Sequence, residues 1–407
     1  MREIIQIQVG QAGNKAGIQF WEDISREHSL FQLPDKSQTG RVDVYFEERN
    51  SGDYYARGIM ADLDCQSINS VKMNPTSKLF QDDCFLSGSE GAGHNWAKGH
   101  FGEGEVLTEN LLDIVRKKTE DCDCLQGFQV VHSLGGGTGS GMGSLLISRL
   151  QEEFPDRILN TFSIFPYAAI TDSVVEPYNA TLSMKDLIEN VDLVHNLENE
   201  ALFRIGFQTY KLTAPTFDDV DRFMSSAMSG LTCGFRYSDQ FNSDMRKLSM
   251  ELAPMPRMHF LSISCASFNK MKENPNQLIE KLLSQESNMS LSDLHEGFCF
   301  GSSLTLRGKF DNQQEIQEDL GKKAFLKNPK ISSYLDDNCD DFSGVLNANS
   351  SSIQIPLQEL SKRFQILLSK KAFLYHYLGE GMEEGEFVEA LSHLNNLIMD
   401  FQEAKNS

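Results

Sequence analysis

Three groups of residues in this chain have types and spacings suited to chemistry on a phosphorylated ligand. The first is the run Ser133-Leu134-Gly135-Gly136-Gly137-Thr138-Gly139-Ser140-Gly141-Met142-Gly143. Its glycines allow bare backbone N–H groups to approach an anion, and Ser133, Thr138 and Ser140 add hydroxyl donors. The run contains no Gly-Lys-Ser/Thr, and no three of its glycines take the dinucleotide-fingerprint offsets, so it is neither a P-loop nor a dinucleotide loop. The second group is acidic. Asp62 and Asp64 sit where an apolar run ends, a place that suits Mg2+ bound largely through water. Asp172 and Glu176 follow another such run, where acids commonly hold ribose hydroxyls. The third is Phe217 with Asp221, four residues apart and so on one helix face. A ring there can stack on a base while the carboxylate accepts two N–H donors, a pair that guanine presents and adenine does not. Each group has a bland counterpart: a flexible turn, solvated loop acids, or a surface Phe beside a solvated acid.

These groups need elements to position them. Phe128-Gln129-Val130-Val131-His132 reads as a buried parallel strand leading into the glycine run. After it Met142, Leu145, Leu146 and Leu150 recur at helical spacing, and Pro155 closes the helix. Strand, glycine loop and helix together set N–H groups and a positive helix end around an anion. Glu3 to Val9 reads as a strand, with Gly10-Gln11-Ala12-Gly13 turning into a helix as a second candidate phosphate contact. Gly58 to Leu63 and Leu159 to Phe165 read as further strands. The stretch Gly88 to Gly102 reads as a turn-rich loop over a ligand. A long helix starts after Pro215, with Thr216 and Asp219 in the positions of a capping box. Its core stripe is Val220, Phe223, Met224, Ala227, Met228 and Leu231. Met258 to Ala266 and Phe298 to Leu306 read as strands, and Lys270 to Asn276 and Leu346 to Ser352 as polar loops. Pro356 starts a helix, and Phe387, Leu391, Leu394, Ile398 and Phe401 line another. The expected fold is α/β: a doubly wound nucleotide-binding domain over 1–198, a core helix and smaller mixed α/β domain over 199–355, and C-terminal helices over 356–407.

Composition narrows the classes. The chain has 407 residues and 40% hydrophobic content, enough for two or three domains with sizeable cores. A net charge of −21, from 58 acids and 37 bases, argues against nucleic acid as a partner. No apolar run reaches membrane-spanning length, and the N-terminus lacks a signal-peptide core, so no membrane partner is expected. Eight cysteines are scattered, with Cys122 and Cys124 the one close pair, which points to reduced thiols rather than a zinc site.

The run GGGTGSG resembles the signature of tubulins and their bacterial cell-division relative. NWAKGH, CDCLQGFQ, VVEPYNATLS, KKAFL and GEGM recur in the same order, and the likeness to β-tubulins covers nearly the whole chain. The resemblance implies GTP or GDP with Mg2+. Gln11 would meet phosphate and metal, and Asp64 stands where the family has a metal-linked Glu. Ser133, Gly136, Gly137, Thr138 and Gly139 would cradle the phosphates, Asp172 and Glu176 would lie near the ribose, and Asn199, Phe217 and Asp221 would read the guanine. Lys15, Glu90, His94 and Asp221 depart from the usual Gln, Ser, Asn and Asn. In tubulins hydrolysis is completed between subunits, by a segment matching Gln240 to Lys247. Asn242, Asp244 and Lys247 would then face the partner's nucleotide, and Lys247, where α subunits carry a Glu, assigns the chain to the β type. The expected function is therefore that of a GTPase subunit pairing head-to-tail with α-tubulin in cytoplasmic microtubules, with microtubule-associated proteins as further partners. The alternative is a β-like chain that binds GTP and tubulin but caps, nucleates or specialises. The segments around Phe268 to Leu283 and Leu326 to Ser352 look shortened, and the sequence stops at Ser407 without the family's acid-rich tail.

Overall fold

The computed structural model describes residues 2–30, 40–49, 53–166, 173–237, 244–268, 275–307, 330–334 and 342–406. The chain divides into two compact units: one of residues 1–18, 45–194 and 356–400, the other of 19–44, 195–355 and 401–407.

The first unit is organised by a parallel sheet. Strand β1 (Glu3–Val9) pairs on one side with β4 (Gly58–Asp62) and on the other with β6 (Leu125–Ser133). Beyond them lie β5 (Phe85–Ser87) and β7 (Ile158–Phe165), and every pairing in the order β5-β4-β1-β6-β7 is parallel. The small hairpin β2 (Phe46–Glu48) and β3 (Tyr54–Ala56) stands apart from it. All seven residues of β1 and all eight of β7 are buried, as a sheet covered on both faces requires. The chain leaves β1 for β4 on one side and returns to β6 on the other, so a topological switch point falls between β1 and β6. Ligands of open α/β sheets bind beyond the carboxyl ends of the strands at such a point.

Helices α1 (Gly10–Glu27), α2 (Cys65–Lys72), α3 (Trp96–Phe101), α4 (Glu103–Glu120), α5 (Gly143–Glu153) and α6 (Glu176–Asn190) follow in chain order. The stretch expected to be loop from Gly88 to Gly102 is a loop only up to Asn95. The Asn95 side chain accepts from the Ala97 amide at 3.0 Å and starts α3, an N-cap that the surrounding glycines obscure. The C-terminal helices belong to this unit through Tyr178, whose fully buried ring meets Phe364, Tyr377 and Phe387 edge-on at 5.1–5.6 Å. Edge-to-face pairs of this kind add about 0.5–1.5 kcal/mol each beyond the area they bury.

In the second unit, β8 (Leu193–Glu198), β9 (Phe260–Phe268), β12 (Phe342–Ser350), β10 (Cys299–Arg307) and β11 (Lys330–Tyr334) lie in that order. β12 is antiparallel to both neighbours, and β10 and β11 are parallel. β12 corrects the reading of Leu346 to Ser352 as a polar loop. Its asparagines are buried, and Asn349 Nδ2 donates to the carbonyls of Leu252 and Met258 at 2.8 and 2.6 Å. Polar residues that find buried partners produce a strand without a hydrophobic alternation. Helices α7 (Asn199–Gln208), α8 (Phe217–Arg236), α9 (Met245–Leu252) and α10 (Pro275–Leu283) complete the unit. Thr216 and Asp219 form the expected capping box on α8, and Val220, Met224, Ala227 and Met228 are buried as expected. Phe223 and Leu231 of the same stripe are half-buried.

One charged cluster holds this unit from within. Arg236, fully buried at the end of α8, and Arg307 of β10 both bond the Glu27 carboxylate, which closes α1. Arg236 donates at 2.5 Å and Arg307 at 2.8 and 3.3 Å, and both guanidinium groups also reach the Ser229 hydroxyl. Burial opposes ionisation of Glu27, but the two guanidinium groups outweigh it and hold the carboxyl far below its ordinary value.

Helices α11 (Gln354–Ser369), α12 (Leu374–Leu378) and α13 (Glu384–Asn406) end the chain. α11 begins two residues before Pro356, which is tolerated in a first turn because its missing N–H would have no partner there.

Candidate functional site

The turns after β1 and β6 touch at the switch point. Gly10 adopts a φ of +78°, and a Cβ there would lie 3.0 Å from the Gly139 nitrogen and 3.2 Å from its Cα. That conformation and closeness admit little but glycine. Gln11 follows on the first turn of α1 with an exposed side chain. The glycine run does not enter its helix directly: Thr138–Met142 winds as a π-turn before α5 begins at Gly143. Turns of this kind appear mostly as single insertions and frequently at functional sites.

The expected cradle residues have distinct positions. Ser133 ends β6, half-buried, and its hydroxyl accepts weakly from the Gly135 amide at 3.4 Å. A Cβ on Gly136 would meet nothing within 4 Å, so this backbone faces open space. Gly137 is pressed against the turn before α3, its notional Cβ 2.7 Å from Ala92 Cβ. The Thr138 hydroxyl lies near Asp62 and favours that carboxylate's ionised form. Ser140 is not a ligand donor as expected: it is fully buried and donates to the Gly136 carbonyl, bracing the loop from within. Glu176, expected near the ribose, opens α6 with its carboxyl carbon 3.3 Å from the notional Cβ of Gly135, beside the loop.

The two acids after β4 have divided roles. Asp64 is exposed and caps α2, accepting from the Gln66 amide at 2.9 Å. Asp62 is 2% exposed; one oxygen accepts from the Asp64 amide at 3.2 Å, and Oδ2 has no hydrogen bond of good geometry among the described residues. Burial pushes its pKa up, against the pull of the Ser67 hydroxyl, the Asp64 amide and the Thr138 hydroxyl. A buried carboxylate with an orphan oxygen, an exposed carboxylate and a primary amide suit a hard, oxygen-seeking cation. Among the described residues no three His, Cys, Asp or Glu side chains converge on a metal position. A divalent ion here would take most of its ligands from phosphate and water, which is how Mg2+ binds.

Beneath the loop lies a residue that the sequence did not single out. His132 is fully buried, with Nδ1 2.8 Å from the Gly139 carbonyl and Nε2 2.9 Å from the Ser163 hydroxyl. A carbonyl only accepts, so Nδ1 carries a proton. Burial lowers its pKa to about 4, so the ring is neutral at neutral pH. The visible signal was a histidine inside an apolar strand, which reads equally well as core. Asn179, also missed, is the hydrogen-bonding centre of the loop's far side and is treated below.

Glu90, a departure that would set negative charge near phosphates, is 75% exposed and pairs with Lys98 at 3.6 Å. His94 has a φ of +58°, a conformation that Asn and His tolerate better than most residues. Lys15 is half-buried on α1.

In the second unit Asn199 opens α7, and Phe217 opens α8 at 55% exposure with its ring edge-on to Phe203 at 5.3 Å. Asp221 stands one turn further along α8. Asp244 caps α9 by accepting from the Arg246 amide at 3.1 Å, and Lys247 is exposed on the same helix. Asp172 and Asn242 lie outside the described residues, as do 269–274 and most of 326–341.

A parallel sheet with two glycine turns in contact at its switch point, one of them open to a ligand, defines an α/β nucleotide-binding protein. The family profile described as "Tubulin/FtsZ family, GTPase domain" matches residues 3–207. The chain is also 41% identical to the tubulin beta-7 chain of Gossypium hirsutum, over all of its own length and 96% of the relative's. It belongs to the tubulin/FtsZ family and is β-tubulin-like from end to end. Among the described residues no helix is long and apolar enough to cross a membrane.

Proposed function

We propose that this chain is a GTP-binding cytoskeletal subunit that pairs head-to-tail with an α-tubulin and enters cytoplasmic microtubules. The observation that carries this reading is the contact of Gly10 with Gly139, beside a Gly136 backbone that faces open space. Backbone N–H groups of Gly136, Gly137, Thr138 and Gly139 would hold the phosphates, with the Ser133 hydroxyl and Gln11 at their margin. Mg2+, held through Asp62, Asp64 and Gln11, would neutralise phosphate charge. Asp172 and Glu176 would bind the ribose. Phe217 would stack on guanine while Asn199 and Asp221 hydrogen-bond its edge; the exposure of Phe217 supports this reading.

Hydrolysis needs a positioned water as well as phosphate contacts. Lys247 cannot activate a water as a carboxylate would, so this chain's α9 segment, with Asn242 and Asp244, would steady the partner's nucleotide. An α-type neighbour would complete hydrolysis of its own. Microtubule-associated proteins would be further partners.

Two measurements test the reading. Denaturing the purified protein should release guanine nucleotide; release of a dinucleotide, or of nothing, would refute the site. Pelleting polymers assembled with α-tubulin should then carry the chain down in lattice proportion. A chain that binds guanine nucleotide but is found in pellets only in trace amounts would instead be one that caps, nucleates or specialises.

A further inference from the structure

Asn179 is enclosed on the inner side of α6, and every polar atom of its carboxamide is engaged. Nδ2 donates to the carbonyls of Gly135 and His94, both at 2.8 Å. Oδ1 accepts from the Trp96 amide at 3.1 Å and from the Tyr377 hydroxyl at 2.7 Å. The partners belong to three segments remote in sequence: the glycine loop, the turn that crosses it before α3, and the short C-terminal helix α12. A second bond runs alongside, from Asn95 Nδ2 to the His376 carbonyl at 3.0 Å.

Packing alone does not ask for this residue, because an apolar side chain of similar volume would fill the space. The chemistry does. Two donors and an acceptor must leave one small planar group in fixed directions, and a carboxylate or hydroxyl there would leave buried carbonyls without donors. The two Nδ2 hydrogens set the separation of the glycine loop from the 88–95 loop, so neither can shift without straining the other. Tyr377, 1% exposed, extends that setting to α12, while its neighbour Tyr375 is 68% exposed.

We propose that Asn179 is a positioning residue for the nucleotide: it fixes the gap between the two phosphate-facing loops and, through Tyr377, couples that gap to α12. This rests on the reading of the glycine loop as a phosphate site and of 88–95 as a loop over the same ligand. A nucleotide whose terminal phosphate draws the 88–95 loop in tightens the clasp, and by linkage any restraint on α12 favours that nucleotide.

The test uses full-length protein and fluorescent GTP and GDP. Asn179→Asp keeps the shape but replaces both donors with an acceptor aimed at two carbonyls, whereas Tyr377→Phe removes a single hydroxyl. Asn179→Asp should weaken GTP about tenfold or more, and Tyr377→Phe roughly threefold, with GDP affected less in both. In the wild type, α12 amides should exchange hydrogen more slowly with GTP than with GDP, and Tyr377→Phe should erase that difference. A purely structural role would weaken both nucleotides equally, and that result would overturn the proposal. So would unchanged affinities in Tyr377→Phe together with nucleotide-independent exchange in α12; should Asn179→Asp fail to fold, Tyr377→Phe decides alone. If wild-type protein binds neither nucleotide, the site reading itself falls, and the coupling with it.

Discussion

Alanine at Gly136 and at Gly137 should have opposite consequences, although the two glycines are adjacent. At Gly137 a Cβ would lie 2.7 Å from Ala92 Cβ and 2.8 and 2.9 Å from the Asn95 nitrogen and oxygen. Ordinary carbon contacts are about 3.5–4.0 Å, so the crossing turn would have to retreat by roughly 1 Å. The φ of Gly137 is −83°, which alanine adopts freely, so the cost is steric alone. Overpacking of this kind costs about 1–3 kcal/mol, or a fall of roughly 2–12 °C in Tm for a unit of this size. At Gly136 a Cβ would meet no atom within 4 Å and φ is not positive, so stability should change by less than about 0.5 kcal/mol. That methyl group would instead occupy the space where phosphate meets backbone N–H, weakening nucleotide about tenfold or more, equivalent to about 1.4 kcal/mol. Thermal unfolding without nucleotide and titration with fluorescent GTP separate the two effects. Wild-type affinity in Gly136→Ala would refute the assignment of that open space to phosphate. A wild-type Tm in Gly137→Ala would refute the packing of the two loops.

Glu27→Gln should destabilise the protein by about 3–5 kcal/mol in urea unfolding, because it leaves two buried guanidinium groups without a counter-charge. Glu27 has its folded pKa depressed below the ordinary 4.5, so its contribution is complete above pH 4.5 and is lost as pH falls below it. Thr216→Ala removes one half of the α8 capping box and should cost about 1 kcal/mol in the same assay. His132 and His195 are buried and His100 half-buried, and desolvation holds all three rings neutral, with pKa values lowered from 6.5 to about 4 for His100 and His132 and about 3 for His195. The unfolded chain takes up these protons first, so the three rings lower stability as pH drops from 6.5 toward 4. Asp186, raised by burial to about 7, protonates first in the folded state and opposes them. Urea midpoints across that range should lose part of the histidine slope in His195→Gln, and a slope identical to wild type would mean that this ring is not held neutral.

What the sequence discloses is what is local. The strand expected over Glu3 to Val9 spans those residues, and the capping box at Thr216 and Asp219 is as its spacing indicates. The glycine run is legible because strand, loop and helix are contiguous. Asn179 stands within a family motif with no legible role, because a polar residue on a buried helix face reveals nothing until its four partners converge from elsewhere. The Glu27, Arg236 and Arg307 cluster is hidden for the same reason, with its members 209 and 280 residues from the acid. Leu346 to Ser352 misled because Asn and Ser signal a turn when their partners are unknown, yet Asn349 Nδ2 donates to two carbonyls 97 and 91 residues away. Asp62 and Asp64 are legible as a pair suited to Mg2+, and the family likeness favours Asp64, yet Asp62 is the buried carboxylate, since spacing does not say which of two acids points inward.

The first unit closes on residues 356–400, with the Tyr178 ring waiting for Phe364, Tyr377 and Phe387. A ribosome therefore emits the sheet and then the whole intervening stretch before the last wall of that core exists. At about 5–20 residues per second the interval is roughly 8–30 s, long enough for sticky, half-built surface to meet other chains. Nascent protein arrested at residue 355 should accordingly depend on a folding helper and retain no nucleotide, whereas release after residue 400 should free it from the helper.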